Sequence, residues 1–176
     1  MKKITVLLIC IFFLSGCATG IMVTRDVKPE ITAKPDSATL VIIRDAFYGT
    51  PITFWNYLDG KLIGETNGKT YFVTPVKPGQ HYVVVATENT AVANIDFQPS
   101  KIYFLREGIL VGLWRARTSG FEPLTYEQAM ESIRNCSYRE LDTSKTAEDM
   151  DPQLYKKAIE EYHAEVKQNP DGFKAI

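Results

Sequence analysis

From Ala38 to Arg115 the chain is a succession of short apolar runs cut by turn residues, and this rhythm constrains the fold more than any other feature. Ala38-Thr39-Leu40-Val41-Ile42-Ile43-Arg44 is a β-branched run and reads as a strand buried on both faces. Residues 52–58 form the next candidate strand. Asp59-Gly60 then separates Tyr57-Leu58 from Lys61-Leu62-Ile63. An Asp-Gly pair between apolar runs predicts a hairpin, because a type I′ turn needs positive φ at both central residues. Asn67-Gly68 repeats that chemistry before Lys69-Thr70-Tyr71-Phe72-Val73. Lys77-Pro78-Gly79-Gln80 predicts a further turn, with Pro fixing φ and Gly accepting a positive value. Residues 81–87, 92–97, 102–106 and 109–115 complete the series, and Pro99-Ser100 breaks it once.

At Thr125 the pattern changes. Thr125-Tyr126-Glu127-Gln128 matches a capping box, and Ala129, Ile133 and Cys136 then fall on one helical face. That face predicts a helix docked on the sheet and a buried Cys136. Asp151-Pro152 reads as an N-cap with Pro at the first helical position. Leu154, Tyr155, Ala158, Ile159, Tyr162 and Val166 form one apolar stripe, and Asn169-Pro170-Asp171-Gly172 stops the helix. This helix has three candidate seats: its own domain, a partner, or a second copy. The expected fold is mainly β: a small antiparallel β-sandwich of about seven or eight strands, with one docked helix and a C-terminal amphipathic helix. Residues 38–124 are assigned to the sandwich and 125–176 to a helical extension.

The N-terminus carries an address. Lys2 and Lys3 precede an apolar stretch at 4–14, interrupted only by Thr5, which is too short to span a bilayer. Leu14-Ser15-Gly16-Cys17 follows. This segment resembles the lipobox of bacterial lipoproteins. The resemblance implies a signal peptide at 1–16, cleavage before Cys17, lipid attachment to Cys17 and acylation of its new amino group. With Ala18 next, it also implies the outer membrane as destination. An ordinary signal peptide with a cysteine there by chance is the plainer alternative. Residues 17–37 show no period and contain Pro29 and Pro35, which reads as a lipidated tether lifting the domain from the bilayer. A short strand at 21–24 is a weaker option.

Such processing would remove Lys2, Lys3 and Cys10, changing the net charge from −1 to −3 and leaving Cys136 as the remaining thiol. No internal disulfide is then expected, even in an oxidising compartment. A 45% hydrophobic, nearly neutral chain is neither disordered nor a typical nucleic-acid binder.

Five motifs lie in order between 38 and 106: Val41-Ile42-Ile43-Arg44, Asp59-Gly60-Lys61-Leu62-Ile63-Gly64, Gly68-Lys69-Thr70-Tyr71-Phe72, Pro78-Gly79-Gln80-His81 and Lys101-Ile102-Tyr103-Phe104. Together they resemble the bacterial lipoprotein domain family of unknown function DUF2846, itself similar to PEGA-type surface modules. The resemblance implies a small envelope β-sandwich and brings no activity and no catalytic residues.

Candidate chemistry is sparse. His81 and His163 are far apart in sequence and lie in no metal-binding motif, so neither a metal nor a cofactor is expected. No G-x-S-x-G elbow occurs, and no carboxylate pair marks a hydrolytic cleft. Cys136 as a nucleophile is the sharper reading and a core cysteine the plainer one. The candidate partner-binding residues are Trp55 and Tyr57, predicted to share a face opposite Phe54, and Trp114, Arg115 and Arg117. Phe47-Tyr48-Gly49 places further aromatics near a turn. Helix cover of Trp55 and Tyr57, and a solvated strand end at Arg115 and Arg117, are the bland alternatives. The expected function is a membrane-anchored envelope lipoprotein, a non-enzymatic binding or structural module for a protein or cell-wall partner. The alternative is an envelope hydrolase or thiol enzyme using Cys136 or a carboxylate pair.

Overall fold

A computed structural model describes residues 20–48, 50–111 and 116–169. The signal segment, Cys17, Trp114 and Arg115 lie outside the described residues. Among the described residues, ten strands and two helices follow in the order β1 (Met22–Arg25), β2 (Ala38–Arg44), β3 (Phe54–Leu58), β4 (Lys61–Thr66), β5 (Thr70–Val76), β6 (Gly79–Ala86), β7 (Thr90–Phe97), β8 (Ile102–Val111), β9 (Ala116–Pro123), α1 (Tyr126–Arg134), β10 (Ser137–Leu141) and α2 (Pro152–Gln168). The protein is a mainly β sandwich of two sheets. One sheet has six strands in the order β1-β10-β5-β2-β8-β9, and the other has four in the order β4-β3-β6-β7.

The chain alternates between the sheets. β2, β5 and β8 belong to the larger one, while the β3–β4 and β6–β7 hairpins between them build the smaller. Because of this alternation, β8 returns parallel to β2, and β10 lies parallel to β5. The remaining ladders are antiparallel. The Asp59-Gly60 turn has positive φ at both residues, 50° and 81°, as a type I′ hairpin requires.

β2 is buried along its whole length. Ala38, Leu40 and Ile42 face the space between the sheets, packing with Phe72, Val76, Val83, Ile95, Phe97 and Leu105. Val41 and Ile43 face the other way, toward Tyr71, Phe104 and the helical residues Ala129 and Ile133. Each such fully buried side chain contributes ~1.5–3 kcal/mol. α1 therefore covers the outside of the six-stranded sheet. Its capping box forms as expected, with Thr125 accepting from Gln128 N and Gln128 Oε1 accepting from Thr125 N. α2 covers the outside of the four-stranded sheet, where Met150, Tyr155 and Ile159 pack with Tyr57, Val84, Ala86 and Val92. The layers run helix, sheet, sheet, helix, and the C-terminal helix seats on its own domain. Leu154, placed on the apolar stripe by spacing, is 44% exposed.

Within 17–37, read from sequence as tether with a short strand at 21–24 as the weaker option, that strand forms and joins the fold. Ile21 and Met22 are buried, and β1 pairs with β10 at the edge of the larger sheet. Lys28 Nζ caps the end of α1 by donating to the Ile133 and Arg134 carbonyls. Ile31 packs against the cluster beneath that helix. These contacts join residues distant in sequence, so no local period announces them. For the same reason β10 interrupts the helical extension: its partners are β1 and β5, not its neighbours.

Candidate functional site

Four inward-facing residues meet at one end of the inter-sheet core. Arg44 is in phase with Leu40 and Ile42 on β2, and Glu107 is in phase with Leu105 on β8. Asn56 on β3 and Thr66 on β4 complete the group, and all four are buried. Glu107 accepts from Asn56 Nδ2 at 2.8 Å and from Thr66 Oγ1. Burial pushes its carboxyl pKa up to about 7, although both hydrogen bonds and the Arg44 charge favour the ionised form. The Arg44 guanidinium lies 4.1 Å from the Phe54 ring centroid.

Arg44 also reaches upward. Its Nη1 donates to Ile52 O at 2.7 Å and to Thr66 O at 3.3 Å, and Nη2 to Tyr48 O at 3.5 Å. These carbonyls belong to the β2–β3 loop and to β4, so a buried cation holds the loop from beneath. Thr50 closes the loop further by donating to Phe47 O. At its tip Phe47 and Tyr48 are 70% and 71% exposed. The described parts of the loop are thus held from beneath at Tyr48 and Ile52, with two aromatic rings in solvent.

Beside it opens a polar cleft of about 350 Å³, lined by Asp45, Lys69, Arg106, Gln128, Glu131, Ser132 and Asn135. Asp45 accepts from Ser132 Oγ at 2.8 Å and from Arg106 Nη1 at 3.4 Å. Arg106 also pairs with Glu122 at 2.7 Å. The cleft offers both signs of charge and several neutral donors.

Cys136 lies buried next to Asn135 of this cleft. Its thiol donates to Ser132 O at 3.2 Å, and burial, with the Asp45 charge, pushes its pKa up to about 11. A nucleophilic cysteine needs the opposite shift. His81 is occupied elsewhere, with Nδ1 2.5 Å from Asp59 Oδ2, and His163 Nε2 meets Tyr82 OH at 3.1 Å. Among the described residues no cluster of three or more His, Cys, Asp or Glu could hold a metal.

No family model, curated protein or solved structure matches the chain. The sequence-selected residues fall as follows. Trp55 and Tyr57 are half-buried, and Tyr57 packs with Tyr155 and Ile159 of α2. Both are on the face opposite Phe54, and both are covered. Arg117 is exposed on β9. The Arg44–Glu107 network escaped sequence reading, yet its signal was present: a charged residue in phase with core residues along a strand. Ending the late strand at Arg106 hid Glu107 from that test.

Proposed function

We propose that this protein is a lipid-anchored envelope lipoprotein, of the kind the DUF2846 resemblance implies, that binds a protein or cell-wall partner without chemistry of its own. The observation that carries the binding reading is the β2–β3 loop. Phe47 and Tyr48 stand in solvent on a backbone that a buried arginine holds from below. Exposed aromatics on a preorganised backbone supply contact area at low ordering cost. The adjoining cleft supplies charges of both signs, suiting a polar peptide or peptidoglycan-stem surface. The raised Cys136 pKa and the absence of a histidine beside the thiol favour binding over thiol chemistry.

The test is a photocrosslinking residue at Tyr48 in the anchored protein, with purified muropeptides and envelope extract as probes. A discrete adduct that Phe47→Ala weakens is expected. Hydrolysis of either probe that Cys136→Ser abolishes, with the fold intact, would sink the binding reading.

A further inference from the structure

We propose that the β-domain rides directly on the bilayer, with the β1–β10 edge at headgroup level. The proposal rests on the Cys17 anchor read above. The sequence pattern places a tether over 18–37, which fully extended would reach ~70 Å. The structure removes nearly all of that length. Gly20 O accepts from Lys145 Nζ, Asp142 N donates to Ile21 O at 2.8 Å, and the Ile21 and Met22 side chains are 9% and 5% exposed. Gly20 is thus already held by the fold, and it lies three peptide units after Cys17. Three units span at most ~11 Å. An acyl-bearing cysteine sits at the membrane interface, and each headgroup layer is itself ~5–8 Å thick. The edge strand beginning at Met22 cannot then stand far from the lipid surface.

The occupant is a phospholipid surface because the anchor's reach leaves no room for a globular partner between this edge and the bilayer. The exposed side chains that would meet it include Thr24 and Arg25 on β1 and Leu141, 37% exposed, on β10. β9 forms the opposite edge of the same sheet. Five strand spacings separate the two edges, ~24 Å along the sheet.

The test uses full-length protein matured in bacterial membranes, purified, and reconstituted into phosphatidylethanolamine–phosphatidylglycerol vesicles with nitroxide-headgroup lipid. Single fluorophores are placed at Thr24→Cys, Leu141→Cys and Leu110→Cys. Cys136 should not compete for label, being buried with a thiol pKa near 11. Quenching severalfold stronger at positions 24 and 141 than at 110 is expected. Acylated, vesicle-bound protein quenched equally weakly at all three positions overturns the seating and leaves the anchor standing. Mature protein with no acyl mass on Cys17 overturns the anchor, and the seating with it.

Discussion

Two buried groups set the chemistry at the residue scale. Glu107 keeps its proton in the fold up to about pH 7, whereas the ordinary value is 4.5. Between those values the folded state binds a proton that the unfolded chain has released. Stability should therefore fall as pH rises through this window, by up to ~1.4 kcal/mol per unit, and level off above it. Glu107→Gln cannot titrate. Denaturant titrations from pH 4.5 to 8 should show the wild type losing stability relative to this variant, and parallel profiles would refute the assignment. Cys136 makes a second case. Its raised pKa and burial predict no alkylation by iodoacetamide at pH 7.5 in the native protein and rapid alkylation after unfolding. Mass spectrometry of the two samples decides it.

At the element scale, the sequence placed most strands because turn chemistry and alternation are local. Asp59-Gly60 was legible since only a narrow φ range closes a two-residue hairpin. The α1 capping box was legible because its partners are three residues apart. Thr125→Ala should cost ~1 kcal/mol, read as a lower thermal midpoint. β1 and β10 were harder, because each is short and is stabilised by pairing with a distant segment. Gly64 shows a tertiary demand that spacing conceals. A Cβ there would lie 2.9 Å from the Phe72 ring, so the two sheets approach closely only over a glycine. Gly64→Ala should destabilise by ~1–3 kcal/mol as the ring is forced aside.

Across the whole molecule, two helices cap the outer faces of two sheets, and the sheets are tied at one edge. Asn89 Nδ2 donates to Thr118 O, and Thr118 N donates to Asn89 Oδ1, both at 2.9 Å. This joins the β6–β7 turn of one sheet to β9 of the other. α2 should behave as part of the domain rather than as a free tail. Ala158 is the buried residue of this helix, so Ala158→Glu should destabilise by several kcal/mol, since it buries an unpaired charge. Leu154→Gln on the exposed side should change stability by less than ~0.5 kcal/mol. Equal effects of the two substitutions in thermal unfolding would contradict the docked helix.

The sequence by itself determined the β-sandwich class, the main hairpins, the α1 cap and the amphipathic character of α2. Each follows from residues within a few positions of one another, where backbone geometry acts directly. Tertiary structure decided between the two readings of 21–25, tether or short strand, because Ile21 and Met22 find their core and β1 finds its partner far along the chain. It also decided that Trp55 and Tyr57 are covered while Phe47 and Tyr48 are bare, since an aromatic is buried or exposed only by what packs over it. The Arg44–Glu107 pair lies between these extremes. Its phase along the strands is local, but its meaning comes from two sheets closing over a guanidinium and a carboxyl and excluding water from both.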